Sequence, residues 1–425
     1  MRGFSARDTV PACTPALLAT SRKVITGAAK VVTHPLVRRL ACCPSGGTRQ
    51  SLDTSESGEN TAIDCGRLHQ VAARRQDRSA CGSKGRAWIP DRSPCSVAGR
   101  EGVATTTTVA ILGTRFGDFS IEERVLAGRG VRLRSGQGAS ADGIVSEAGD
   151  AEVILSGGSP QFDASVIDRL DCRAIIRYGV GVDTVDLEAA ARAGMWVSYV
   201  PDYGTDAVAL HTVSLLLATL RRLIDADALV KSGGWGLNEL RPLHLPQALT
   251  VGIVGLGRIG RRVVELLAPF SFTLLGFDVA VDAATLGLPL EPASFEMLLR
   301  RSDVVTLHAP GPSDGRPLLG RKELGWLKEG SLLVNTARGS LVDREALTRG
   351  LREGRPARAA LDVFSPEPPG DAFESVSERV ILTPHMAWYT EESEGDLREQ
   401  AAHEALRILD GLPPLHIAAR PQGDQ

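Results

Sequence analysis

The 425-residue chain reads as an α/β protein with two domains, each a mostly parallel sheet covered by helices on both faces. Three observations carry that reading. From residue 108 onward, short apolar strands alternate with helical stretches, and they are too numerous for one sheet. The segment 251–260, VGIVGLGRIG, runs an apolar strand straight into a Gly-x-Gly-x-x-Gly turn that opens a helix. The composition, 43% hydrophobic and 23% charged, is that of an ordinary globular protein long enough for two cores.

Residues 1–104 stand apart. They show no sustained hydrophobic period and are rich in Arg, Ser, Gly and Pro, a composition expected of a disordered extension. A natural start near Val103, with the upstream residues a start-site artefact, is favoured over an organellar transit peptide. Six of the seven cysteines lie in this region, leaving Cys172 in the rest. Their spacing suits neither a zinc site nor a disulfide framework, and no metal site is expected.

The first domain opens with a strand over 109–112, a helix over 121–128 stopped by Gly128, and further strands over 152–155, 173–176 and 196–200. Six more strands, over 250–254, 273–277, 303–307, 332–335, 357–361 and 380–382, complete a dinucleotide-binding unit. Long helices over 205–223 and 392–409 mark the boundary. If the second returns to the first domain, that domain is discontinuous, comprising 105–206 plus 389–425 around an inserted 207–388, and the cleft between the two is the expected site. Lys and Arg outnumber Asp and Glu 16 to 8 over residues 1–104 and are outnumbered 32 to 43 beyond. An acidic globular part argues against nucleic acid or an anionic membrane as partner, and suits the cytoplasm. The longest apolar stretch, 207–220, is interrupted by His211 and Thr212 and is too short to span a bilayer.

In the glycine motif, Gly255 permits the tight turn, Gly257 lets backbone approach a pyrophosphate, and Gly260 lets helix and strand pack closely. The N–H groups of Leu256, Arg258 and Ile259 stand at the positive end of the new helix. The following strand ends in Asp278, eighteen residues beyond Gly260, where a carboxylate meets a ribose 2′-hydroxyl and repels a 2′-phosphate. Val279 and Ala280 offer no compensating arginine, so NAD is favoured over NADP.

Three further motifs end predicted strands: Asn335-Thr336-Ala337-Arg338-Gly339, Leu361-Asp362-Val363-Phe364-Ser365-Pro366-Glu367-Pro368, and Leu382-Thr383-Pro384-His385. With the glycine motif and Arg177-Tyr178-Gly179-Val180-Gly181-Val182-Asp183, they resemble the D-isomer-specific 2-hydroxyacid dehydrogenases over roughly residues 108–415. Val200-Pro201-Asp202-Tyr203-Gly204-Thr205 and Pro384-His385-Met386-Ala387-Trp388-Tyr389 look most like the branch that includes the C-terminal-binding proteins. The resemblance implies two Rossmann-like domains, the NAD-binding one inserted in a flavodoxin-like substrate domain, and a homodimer. It implies Arg338, Glu367 and His385 as the catalytic trio. It also places Thr336, Ala337 and Asp362 near the nicotinamide end and Trp388 as a pocket wall; His308, closing the strand 303–307, is expected to approach the cofactor.

Elementary chemistry supports these roles. A guanidinium can hold the carboxylate and ketone oxygens of a 2-oxo acid together, which a lysine cannot. Ketone reduction needs a proton donor with a pKa near working pH, the part His385 would play, and a carboxylate such as Glu367 favours its imidazolium form. Tyr178, Gly179, Val180 and Gly181 are expected at the substrate, the glycine turn as a nest of backbone N–H groups around its carboxylate. His211, in an apolar helix, reads as structural. Two departures from the family pattern stand out: Ala209-Leu210-His211 replaces the usual acidic residue before the histidine, and Pro310-Gly311-Pro312-Ser313-Asp314-Gly315 replaces the usual loop after His308. The expected function is interconversion of a 2-oxo acid and a D-2-hydroxy acid with NAD(H). An NAD-sensing corepressor-like scaffold is the alternative from another class, and formate or phosphite oxidation the alternative within the enzyme class.

Overall fold

The computed structural model describes residues 107–312 and 314–423. The extension expected over 1–104 lies outside the described residues.

Strands β1 (Thr108–Leu112), β2 (Arg132–Gly136), β3 (Val153–Ser156), β4 (Ala174–Arg177) and β5 (Trp196–Tyr199) form a parallel sheet in the order β2-β1-β3-β4-β5. Strands β6 (Thr250–Val254), β7 (Thr273–Phe277), β8 (Glu291–Pro292), β9 (Val304–Leu307), β10 (Leu332–Asn335), β11 (Arg358–Leu361) and β12 (Val380–Leu382) form a second, ordered β8-β7-β6-β9-β10-β11-β12. The first order is flavodoxin-like and the second that of a dinucleotide-binding sheet, as expected. The last strand, β13 (Ile417–Ala419), returns to the first sheet and pairs antiparallel with β5. Strand interiors such as Val109–Leu112, Val153–Leu155 and Val304–Leu307 are fully buried, which is why they read as unbroken apolar runs.

Two helices tie the sheets together. The hinge helix Thr205–Leu220 buries Ala209, Val213, Leu215 and Leu216 against Val251, Ile253 and Val263 of the second core. The expected continuation to 223 fails: Arg222 takes a left-handed φ of 50°, and a separate helix, Leu223–Lys231, leaves at 56°. No single helix among the described residues is long and apolar enough to cross a membrane. The return helix Glu391–Leu409 places Leu397, Ala401, Ala405 and Ile408 against Val109, Ile111 and Ile176 of the first core. Each fully buried Leu or Ile of this kind contributes about 1.5–3 kcal/mol. Its start is fixed by a reciprocal cap: Thr390 Oγ1 accepts from the Ser393 N–H (3.0 Å), and Ser393 Oγ accepts from the Thr390 N–H (2.8 Å) and donates to the Trp388 carbonyl (2.6 Å).

Candidate active site

The strand order of the second sheet reverses between β6 and β9, and the crevice at such a switch point is where a dinucleotide lies. Gly255 follows β6 at φ +94°, and a Cβ there would stand 2.6 Å from the His308 carbonyl carbon after β9, so the two loops meet only because this residue is glycine. A Cβ on Gly260 would fall 2.0 Å from the Gly255 oxygen, so here too packing demands glycine. Gly257 differs. Its φ is an ordinary −68°, and a Cβ would meet nothing within 4 Å. The protein itself does not require a glycine there; a pyrophosphate approaching the backbone does, and the crevice therefore fits NAD.

The other motif residues offer backbone only. Leu256 is fully buried, Ile259 packs on the core, and the Arg258 guanidinium pairs with Asp202 (2.9 Å). Asp278 accepts N–H groups from Leu256 (2.6 Å), Ala280 (2.7 Å) and Val281 (3.1 Å). Burial pushes its carboxyl up, but these donors and the nearby Arg261 outweigh burial and hold it below the usual carboxylate range. Arg261, not foreseen from sequence, gives its Nε to the Leu256 carbonyl (2.7 Å). Burial drives the His308 imidazole down to about 3, so this ring is neutral beside the crevice, with Nε2 3.0 Å from Thr306 Oγ1.

Arg338, Glu367 and His385 follow β10, β11 and β12, three neighbouring strands, and the sheet order brings them side by side. Gly339 makes the approach possible, because a Cβ there would collide with the Phe364 carbonyl carbon at 2.0 Å. The Phe364 N–H in turn donates to Glu367 Oε1 (2.9 Å), and Glu367 Oε2 lies 2.7 Å from His385 Nδ1. With Glu367 ionised, Nδ1 carries the proton it shares and Nε2 is left for a ligand. The hydrogen bond from Glu367 raises the His385 pKa against an opposing burial effect. Glu367 is pushed up by burial, yet His385 and the Phe364 N–H more than offset this and hold it low. His385 sits at φ +52°, unusual for a non-glycine residue, with its N–H donating to the Asp362 (2.9 Å) and Thr383 (3.0 Å) carbonyls.

Several of the motif residues find hydrogen-bond partners within the protein. Asp362 is fully buried, and its carboxylate accepts from Thr383 Oγ1 (2.5 Å) and the N–H groups of Met386 (3.0 Å) and Ala387 (2.9 Å). It braces the histidine loop. Thr336 is likewise buried, bonded to Thr212 of the hinge helix (2.7 Å), while the Ala337 N–H is taken by Asn335 Oδ1 (3.1 Å). His211, read as structural, reaches Thr383 Oγ1 (3.1 Å) and so ties the hinge helix to the histidine loop.

In the first sheet the turn after β4 faces Arg338. Tyr178 does not join it with its side chain. The ring is buried against Phe116, and its hydroxyl donates to the fully buried Glu122 (2.9 Å), which also receives Arg398. The side chain at β4+1 points into the core, the opposite way from the expected role. The Gly179 N–H is spent on the Arg177 carbonyl (3.0 Å), leaving the N–H groups of Val180 and Gly181, which have no partner among the described residues. Trp388 packs edge-on against Tyr203 (6.1 Å between ring centres), and burial pushes the Tyr203 hydroxyl up to about 12. Among the described residues no cluster of His, Cys, Asp and Glu could hold a metal ion.

Known proteins resemble this chain in sequence and fold. Residues 213–387 match the D-isomer specific 2-hydroxyacid dehydrogenase NAD-binding domain. A glyoxylate reductase of Thermofilum pendens is 36% identical over 274 residues, 62% of this chain and 80% of the relative. A D-3-phosphoglycerate dehydrogenase of Methanocaldococcus jannaschii is 34% identical, and the chain spans only 53% of it. The crystal structure of an Aquifex aeolicus D-lactate dehydrogenase complexed with NAD and lactic acid superposes at TM-score 0.65 with 25% identity, covering 71% of this chain and 96% of that one. The glyoxylate reductase is thus related to this chain over most of its own length, and the lactate dehydrogenase structure shares its fold. On that ground the chain belongs to the D-isomer specific 2-hydroxyacid dehydrogenase family, as an NAD-dependent oxidoreductase acting on the CH–OH group.

Proposed function

We propose that the protein reduces a small 2-oxo acid, glyoxylate first among them, to its D-2-hydroxy acid, with Arg338, Glu367 and His385 as the catalytic trio. The observation that carries this is the 2.7 Å His385–Glu367 pair standing beside Arg338 at one end of three adjacent strands. NADH, when bound, supplies the hydride. Arg338 binds the substrate oxygens, the Val180 and Gly181 N–H groups receive the carboxylate, and His385 Nε2–H donates the proton that the ketone oxygen requires. Glu367 holds the ring and stabilises its charged form. Gly255, Leu256, Gly257, Arg258, Ile259, Gly260 and Asp278 hold the dinucleotide, with His308 at its edge and Trp388 and Tyr203 walling the substrate side.

We further assign residues 105–206 plus 389–425 to the substrate domain and 207–388 to the NAD-binding domain. The return of β13 to the first sheet supports this division. A homodimer through residues 223–245 is proposed because the helix Leu223–Lys231 buries none of its residues and Trp235 beyond it is 90% exposed. The cytoplasm is the proposed location. The intact trio speaks for an enzyme over a purely NAD-sensing scaffold.

The test is NADH oxidation against glyoxylate, hydroxypyruvate, pyruvate and bulkier 2-oxo acids, with NADPH in parallel. Turnover of one of them is expected; tight NADH binding with no turnover across the panel would overturn the proposal.

A further inference from the structure

Arg338 is not free in the cleft. Its Nε donates to Asp183 Oδ2 at 3.0 Å and its Nη1 to the Ala337 carbonyl at 2.8 Å, so two of its three nitrogens are fixed and Nη2 is left pointing at the turn after β4. Glycine spacing confirms how tightly the pair is seated. A Cβ on Gly181 would lie 2.6 Å from Arg338 Nη2 and 3.0 Å from Asp183 Oδ2, so the nest backbone rests directly on the ion pair. From the other side Gly311, in the loop that departs from the family pattern, would bring a Cβ to 3.6 Å from Asp183 Oδ1 and 3.7 Å from Arg338 Cγ. Beneath the same turn lies Arg177, buried, with Nε donating to the Gly181 carbonyl (3.2 Å) and Nη1 to Ser156 (3.3 Å).

One carboxylate thus stands among two guanidiniums at the mouth of the nest, leaving a single net positive charge for a single substrate carboxylate. Were Asp183 absent, Arg177 and Arg338 would repel each other across the turn and Arg338 Nε would lose its acceptor. Asp183 is 62% exposed, and an ion pair so open to water adds little to folding stability. What it does fix is direction, since a guanidinium is planar and its grip on an oxo acid depends on which edge faces the ligand.

We propose that Asp183 is a positioning residue for substrate recognition, joining the first sheet to the second by aiming Arg338 at the Val180–Gly181 nest so that guanidinium and backbone close on the same carboxylate. The inference rests on the assignment of Arg338 as the substrate anchor. Asp183 touches neither substrate nor cofactor in this scheme and acts through Arg338.

The test compares Asp183→Asn, Asp183→Glu, Arg338→Lys and the double variant Asp183→Asn/Arg338→Lys in the full chain. It reads KM and kcat for glyoxylate, the Kd of oxamate for the NADH complex, the Kd of NADH and Tm. For Asp183→Asn, KM and the oxamate Kd are expected to rise roughly tenfold or more, as when one charge-assisted hydrogen bond is lost, with kcat, NADH affinity and Tm little changed. Asp183→Glu should recover most of the loss, and Asp183→Asn should add nothing to Arg338→Lys. Unchanged or tighter oxamate binding in a folded Asp183→Asn protein overturns the proposal, as does an additive double variant. If Arg338→Lys itself leaves both constants unchanged, the anchor assignment fails and Asp183 falls with it; if only Asp183→Asn is silent, the anchor stands and Asp183 alone is refuted.

Discussion

The crevice after β6 and the edge formed by β10, β11 and β12 solve different problems with different materials. The crevice is built from backbone: its glycines make room, its side chains Leu256 and Ile259 are turned to the core, the Arg258 guanidinium is taken up by Asp202, and Asp278 stands at its far end. The edge is built from side chains, each held by a neighbour: Arg338 by Asp183, Glu367 by the Phe364 N–H, His385 by Glu367 and a left-handed turn. Binding a large, fixed ligand asks for shape and many weak donors, whereas moving one proton asks for a few charged groups in one geometry. The first should fail by losing affinity and the second by losing rate.

The largest break in that contrast is His385→Ala. It removes the proton donor and leaves the crevice intact, so kcat should fall by about 10²–10⁴-fold, the span of general acid catalysis, with NADH affinity kept. Stopped-flow turnover and NADH fluorescence titration read the two separately, and an unchanged kcat would remove His385 from the trio. Within the crevice, the glycines themselves should divide. Gly255→Ala places a Cβ 2.6 Å from the His308 backbone at a φ that L-residues rarely take, so a loss of roughly 1–3 kcal/mol is expected in denaturant unfolding. Gly257→Ala meets nothing in the protein and should leave stability unaltered while weakening NADH binding. Equal stability losses in both would mean that no ligand dictates Gly257.

Glu367→Gln sharpens the edge by pH. Glu367 raises the His385 pKa above its ordinary value, so in the parent the reactive imidazolium persists as pH rises until that raised pKa is passed. The same shift adds folding stability that is fully present below the unfolded-state pKa and is lost as pH climbs through the folded one. With the carboxylate neutralised the alkaline fall of kcat/KM for 2-oxo acid reduction should move to lower pH. A profile that stays in place would show that another group sets it.

The same contrast explains what sequence could and could not reveal. β6, β7 and β10 fall at the expected residues because buried parallel strands are unbroken apolar runs, and the edge strand β12 does so as a short apolar run although it is only half-buried. β2, Arg132–Gly136, escaped because an edge strand with half-exposed arginines carries no such run. The break at Arg222 has no proline or glycine to announce it. The crevice was legible because a glycine turn is local in sequence. The edge was legible only as a set of charged residues at strand ends, without its supports: the Asp183–Arg338 pair spans 155 residues, Tyr178 turned inward to Glu122, and Thr212 and Thr383 were neutral residues with no visible task. Pairings across that distance follow from the fold and leave no spacing to read.

Asp278 offers the smallest and most diagnostic effect, because it is the one place where the crevice relies on a side chain. Its carboxylate is held ionised by three backbone N–H groups, two on Oδ1 and one on Oδ2, so Oδ2 retains a lone pair for a ribose hydroxyl. Asp278→Asn keeps the size, removes the charge and exchanges one acceptor for a donor, so NADH should weaken by about tenfold, the worth of one charged hydrogen bond. NADPH should move the other way, since its 2′-phosphate no longer meets a carboxylate and Arg261 lies close enough to influence the site electrostatically. The ratio of the two affinities is the sensitive quantity, for a general loosening of the loop would weaken both alike. A variant that discriminates between the cofactors as strongly as the parent would place the selectivity in the backbone of the crevice, and the division between a side-chain edge and a backbone crevice would then be complete.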